Sequence, residues 1–329
     1  MKKALFFVLL FLAFATACKK KPDRAHQKTS GPINTISVII DDPLWNGEVG
    51  DSIRNKFAGP VIGLPQEEPM FTINQYPLKL LEGFTTNSRN IIIVKKEAEA
   101  KFEIVENEFA HPQNVIHISA KTTALLLDQI EQHAPEIIER MHHTEILENQ
   151  RIIDTSRIQT KKIRRKFSID LSIPKGFKYV LQRRKFVWLK KEITSGNASI
   201  LIYQIPISNL MTSRNITKSI IKTRDSIGSL YIRGMGSNSP MITEDSYAPY
   251  LFRTHISGKE TYETKGTWEL QNDYMSGPFI NYHIIDRARK RILVIEGFCY
   301  DPSEAKRDIM FELEAMIKSV EFLKKTNKK

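Results

Sequence analysis

The chain of 329 residues has only two cysteines, Cys18 and Cys299, which excludes a disulfide-stapled scaffold, because at most one bridge could close. Its 15 glycines and 15 prolines are too few for a collagen-like or low-complexity chain, and a hydrophobic fraction of 41% excludes disorder. Long apolar runs are scarce. The longest, Ala4 to Ala15, has 12 residues, whereas a membrane-spanning helix needs about 20. There is no nucleophile elbow, Walker loop, dinucleotide fingerprint or zinc-protease motif. The sequence therefore calls for no cofactor and no metal, and it assigns no catalytic residue.

What is there begins with an export signal. Lys2 and Lys3 precede the apolar run, and the small pair Thr16-Ala17 leads into Cys18, with Ala15 where a lipobox most often has Leu. This order predicts a lipoprotein signal peptide over residues 1–17 and lipidation of Cys18. Acyl chains at about 0.8 kcal/mol per buried CH₂ hold such a protein on a membrane without spanning it. Lys19, Lys20 and Lys21 add attraction to anionic headgroups. A basic start after the cysteine points to the periplasmic face of the outer membrane.

Residues 18–35, rich in Lys, Pro, Ser, Thr and Gly, read as a flexible tether. Residues 36–166 then alternate strand and helix signals: Ile36 to Ile40, a helix from Pro43 to Phe57 with Asp42 as N-cap, and strands at Phe71 to Tyr76, Asn90 to Lys95 and Val115 to Ala120. Helices over Thr122 to His133 and Pro135 to Lys166 close this α/β domain; Ile137, Met141, Ile152 and Ile163 form the stripe of the second. Residues 167–329 read as an α+β domain with an antiparallel sheet and two helices, Asn215 to Tyr231 and Pro302 to Leu323. This order resembles the fold shared by photosystem-II P-subunits and the Ran-binding Mog proteins. Cys299, inside the strand-like run Ile292 to Tyr300, reads as a buried, inert thiol.

The charge is unevenly placed. Between Arg157 and Lys191 stand thirteen Lys/Arg and one acid, Asp170, a net +12 that equals the charge of the whole chain. Residues 29–156 carry a net −9. The run Lys161, Lys162, Arg164, Arg165 and Lys166 marks a basic surface. An exported protein rarely meets nucleic acid and no nucleic-acid module is present, so two readings stay open. One is an anionic membrane surface; the other is a solvated helix end that complements its own dipole and the acidic first domain.

Two constellations suggest binding. Asp41-Asp42-Pro43-Leu44-Trp45, continuing to Asp51, puts adjacent carboxylates at a strand C-terminus, where α/β folds place ligands. Trp268, Asp273, Gly277 and Pro278 form an aromatic-flanked loop suited to a partner or a sugar. Glu139 and His143, four apart on a helix beside His142, supply two metal ligands without a third and read as a solvated face.

The motifs Asp41-Asp42-x-Leu44-Trp45, Val49-Gly50-Asp51, Pro60-Val61-x-Gly63-Leu64-Pro65-Gln66-x-Glu68-Pro69-x-Phe71, Trp268, Asp273, Gly277-Pro278-Phe279 and Val294-x-Glu296-Gly297-Phe298 resemble a family of Bacteroidota lipoproteins, the domain of unknown function 4837, over nearly all of the mature chain. Ser276 stands where that pattern has Gly. The resemblance implies a lipoprotein and supplies no activity. The expectation is a membrane-anchored lipoprotein of the bacterial envelope with a non-catalytic binding or assembly role, through contacts with an envelope protein or another envelope component. The alternative is a periplasmic enzyme or small-ligand binder using Asp41, Asp42 and Asp273, with Trp45 or Trp268 as a stacking wall. The oligomeric state is not legible.

Overall fold

The computed structural model describes residues 27–324 apart from 235 and 237. Cys18 and residues 19–26 of the expected tether lie outside the described residues. Residues 27–34, read as tether, are docked instead: Gln27–Lys28 pairs in parallel with Ala110–His111, and Ser30 N donates to Asn87 O at 2.9 Å. The segment has little to bury, but its backbone finds partners.

In the first domain, β1 (Thr35–Ile39), β2 (Thr72–Tyr76), β3 (Asn90–Lys96), β4 (Lys101–Glu106) and β5 (Asn114–Ala120) form one sheet in the order β2-β1-β3-β5-β4. All pairs are parallel except β4 with β5. Their Ile/Val runs are continuous because both faces are covered. Val38, Ile92 and Ile116 face the helices, while Ile39, Ile91 and Val115 face Tyr76, Leu78, Leu81 and Phe109. The expected helix from Pro43 is two, α1 (Asp42–Trp45) and α2 (Glu48–Phe57), separated where Gly47 is extended. The N-cap of α1 is Asp41, not Asp42, and its side chain caps nothing.

The largest departure is α3 (Thr123–Asp154), one helix of 32 residues that runs through Pro135. Thr122 caps it by accepting from Leu125 N. Its buried stripe is Leu126, Ile130, Ala134, Ile137 and Met141 on the first core, then Ile146 and Ile153 on the second. At 1.5 Å per residue it is about 48 Å long, enough to serve both domains. Ile152 is 47% exposed, and Ile163 lies on a separate helix, α4 (Lys161–Phe167), so the expected stripe is replaced by this one. No helix among the described residues is long and apolar enough to cross a membrane.

The second domain is an eight-stranded, all-antiparallel sheet of β6 (Lys178–Arg183), β7 (Phe186–Ile193), β8 (Gly196–Pro206), β9 (Met241–Thr243), β10 (Tyr250–Ile256), β11 (Lys259–Leu270), β12 (Ser276–Asp286) and β13 (Arg291–Tyr300). The order is β9-β11-β12-β13-β8-β7-β6, with β10 also on β11. Two short helices, α4 and α5 (Ser208–Met211), join the two expected ones, α6 (Ile216–Tyr231) and α7 (Arg307–Lys318). One sheet face packs Ile280, Ile284, Leu293 and Ile295 with α7, α4 and the end of α3; the other packs Tyr203, Phe279, Val294 and Phe298 with Ile220 of α6.

A candidate ligand site between the two domains

The loop from Gly59 to Met70 is closed on itself by Val61 N to Glu68 O at 2.9 Å and Met70 N to Gly59 O at 2.8 Å. Gly63 takes φ +89°, and a Cβ there would stand 2.8 Å from Cβ of Lys265, so only glycine lets the loop lie this close to β11. At the loop's far end the Glu68 carboxylate accepts from Lys306 N at 2.7 Å and Arg307 N at 2.8 Å, capping α7 across the domain boundary. Arg307 in turn donates to Pro69 O and to Thr72 Oγ1, and Asn34 Nδ2 donates to Asp308. The loop is thus a joint between the domains.

The joint encloses a cavity of about 210 Å³. Its walls are largely apolar: Pro60 to Leu64, Met70 and Phe71 from the first domain, Pro278 to Ile280 from β12, and Met310 and Phe311 from α7. His142, Lys265 and Glu314 make one polar wall. An engineered apolar cavity of about 150 Å³ accepts benzene, so this one has room for a group somewhat larger than one aromatic ring. Ile62, 47% exposed, stands where the cavity meets solvent.

The polar wall is a compensated charge cluster. Glu314 lies 2.6 Å from Lys318 Nζ, 3.5 Å from His142 Nε2 and 3.9 Å from Lys265 Nζ, and Lys265 is 2.9 Å from Glu263. Burial pushes the Glu314 carboxyl up, but Lys265, His142 and Lys318 outweigh it and hold the group well below the usual carboxylate range. Burial lowers the Lys265 ammonium, and the carboxylates of Glu314 and Glu263 more than restore it. Two carboxylates therefore face two ammonium groups. A lysine held protonated is no nucleophile, and the cavity lining holds no Ser, Cys or Asp. The arrangement can hold a ligand.

Most residues expected from sequence lie elsewhere. Asp41 lines an open groove with Lys95, Lys96 and Glu97 at the strand C-termini where the β2-β1-β3 order reverses, and Asp42 accepts from Gln75 Nε2 at 3.2 Å. Trp45 is half-buried against the first core with the Arg54 guanidinium 4.4 Å above its ring, and Asp51 pairs with Arg54 at 2.7 Å. Trp268 is buried and donates to Cys299 O at 3.2 Å, so it belongs to the core and cannot be a stacking wall. Gly277 is required beside it, because a Cβ would meet Cys299 O at 2.2 Å. Cys299 is buried, and burial pushes its thiol up to about 12. Asp273, on the exposed β11–β12 turn, accepts from Tyr274 N at 2.7 Å. Among the described residues Asp41, Asp42 and Asp273 share no ion pair, hydrogen bond or cavity. Pro278 alone of the expected set lines the interdomain cavity. His142, weighed in the sequence only beside Glu139 and His143, Lys265 and Glu314 were missed as site residues; the Pro60-Val61-x-Gly63-Leu64 motif was the available signal.

Residues 156–319 match the family model described as Domain of unknown function (DUF4837), and residues 29–154 match another, Domain of unknown function (DUF8532). The DUF4837 match thus spans the second domain, where the resemblance was expected over nearly all of residues 18–329; the Asp41 to Phe71 motifs fall in the other family's span. No curated protein matches the chain. Among solved structures, the Ran-binding protein Mog1p of Saccharomyces cerevisiae is similar at 9% identity and a TM-score of 0.35, over 51% of this chain and 95% of that one. LpqN, involved in cell envelope biogenesis of Mycobacterium tuberculosis, is similar at 7% identity and a TM-score of 0.28, over 46% of this chain and 81% of that one.

Proposed function

For a chain that belongs to the DUF4837 family through residues 156–319, we propose a non-catalytic, lipid-anchored binding protein of the bacterial envelope, whose interdomain cavity takes an uncharged apolar group. The observation that carries this is the cavity itself: an apolar chamber whose charged wall is already neutralised by its own partners, so the ligand needs no charge. An apolar ligand would gain about 25 cal/mol for each Å² it removes from water there. Anchoring through Cys18 on the periplasmic face of the outer membrane, in Bacteroidota, belongs to the same reading, as does an envelope partner that supplies or receives the ligand. On element order, the second domain is assigned to the Mog and photosystem-II P-subunit kind.

The test uses residues 19–329, the chain without its leader, and the fluorescent apolar probe N-phenyl-1-naphthylamine. Binding is expected, with displacement by medium-chain alcohols. Ile62→Trp, at the exposed rim, should weaken it about tenfold, the effect of some 1.4 kcal/mol, without lowering stability. Absence of binding, or binding indifferent to Ile62→Trp, overturns the reading. Labelled palmitate should enter the protein in cells and be lost in Cys18→Ser; its failure to enter removes the anchor alone.

A further inference from the structure

Of the thirteen cations between Arg157 and Lys191, few are neutralised. Arg157 and Arg164 hold Asp170, with Arg157 also 3.6 Å from Asp154, while Lys190 pairs with Glu192 and Lys191 with Glu312. Burial would raise the Asp170 carboxyl, but hydrogen bonds from Arg164, Thr160 and Arg157 bring it down to about 2, so the one acid of the stretch is spent on its own neighbours. Lys161, Lys162, Arg165, Arg183, Arg184 and Lys185 are exposed and enter no ion pair among the described residues. Apart from the local Arg157–Asp154 contact, no ion pair among the described residues joins the stretch to the acidic first domain, while Arg164, Arg165 and Lys166 stand in the last turn of α4, where they complement its dipole.

These cations share one surface. Lys162 Nζ stands 5.0 Å from the centre of the Tyr179 ring, and Lys166 Nζ donates to Arg183 O, so α4 lies along β6 with the Arg184–Lys185 turn beside its end. β6 is an edge strand, and Val180, 47% exposed, sits among the charges. Residues 29–156, before it, carry a net −9. We propose that the face built by α4 and the β6–β7 hairpin lies on the anionic headgroup surface of a bilayer.

Two observations favour a membrane over other polyanions. An apolar residue among exposed cations suits an interface that is wet and apolar at once. The charge separation would orient the molecule on a negative plane and repel its acidic domain from it.

The experiment uses residues 19–329, which carry no acyl group, with vesicles of phosphatidylcholine alone or with phosphatidylglycerol. Co-sedimentation is expected only with phosphatidylglycerol, and it should fall steeply as salt rises. The triple reversal Arg165→Glu, Arg184→Glu, Lys185→Glu, all at exposed positions, should lower partitioning by ~100-fold or more, given that each cation near such a surface contributes several-fold. Lys19→Ala, Lys20→Ala, Lys21→Ala should lower it less. The inference is overturned if the parent ignores phosphatidylglycerol, if the triple reversal binds as the parent does, or if the parent prefers a DNA duplex at equal phosphate concentration. Vesicle binding by a chain that takes up no palmitate in cells would sink the anchor and leave this surface standing.

Discussion

The two faces of the eight-stranded sheet each bury a glutamate, and the two behave oppositely. On the α6 side, Glu296 is sealed with Arg224, whose Nη2 is 3.0 Å away; Asn281 Nδ2 donates to Glu296 at 2.6 Å, and Asn281 Oδ1 meets His283 Nδ1 at 2.7 Å. The Arg224 guanidinium also lies 3.9 Å over the Phe279 ring and donates to Thr243. Burial pushes the Glu296 carboxyl up, with Arg224 opposing, and drives His283 down to about 3, so its imidazole stays neutral and Nδ1–H is the donor to Asn281. On the α7 side, Glu314 has two ammonium neighbours, Lys265 and Lys318, with His142 beside them, and is held low. Desolvation dominates where one cation shares a sealed core, and Coulomb attraction dominates where several cations converge beside an opening. A buried charge alone therefore does not mark a binding site.

The sharpest way to break this contrast is Arg224→Met. It leaves Glu296 buried without its partner, so urea unfolding should show a loss of about 3–5 kcal/mol, while folded protein binds the naphthylamine probe as before. A loss of probe affinity at unchanged stability would put the α6 side into the site.

Glu68→Ala should come second, at about 1–2 kcal/mol, by stripping the cap from α7. Here the probe affinity should fall as well, because the capped end is the joint that encloses the cavity. Equal probe binding would separate the joint from the cavity.

Glu314 comes third, and its effect is read as a pH dependence. Its folded carboxyl titrates well below the ordinary 4.5, so it binds fewer protons than in the unfolded chain, and the stability it contributes is present above about 4.5 and lost as pH falls through the folded value. The melting temperature should drop over that acid range, and Glu314→Gln should drop less. Glu296, raised by burial, works with the opposite sign. A parent and a Glu314→Gln variant with identical acid profiles would show that the cations do not hold this carboxylate.

Local pattern carried the strands and helices with clear signatures. The Asn90 to Lys95 run and a helix beginning at Thr122 are visible because continuous Ile/Val and apolar periodicity are short-range signals. β4, Lys101–Glu106, was missed because an edge strand with alternating half-exposed residues has weak contrast. Pro135 was read as a helix boundary, yet Ala134, Ile137 and Met141 pack into the first core and outweigh the one backbone bond it forfeits. The joint was least legible. Glu68 and Lys306 are 238 residues apart, and Gly63 meets Lys265 through space, so no periodicity reports either contact.

By itself the sequence determined most element types, the lack of an apolar run longer than 12 residues, and the polarisation of charge, with a net +12 between Arg157 and Lys191 against −9 before it. Each depends on composition or on neighbours a few positions apart. Tertiary structure alone decided that Asp41 and Asp273 stay apart, that Trp268 is core, and that Pro60 to Leu64 close a cavity whose polar wall is Glu314, Lys265 and His142. The reason is physical: desolvation and Coulomb energy are set by burial and separation, and those are created only when segments distant in sequence pack together.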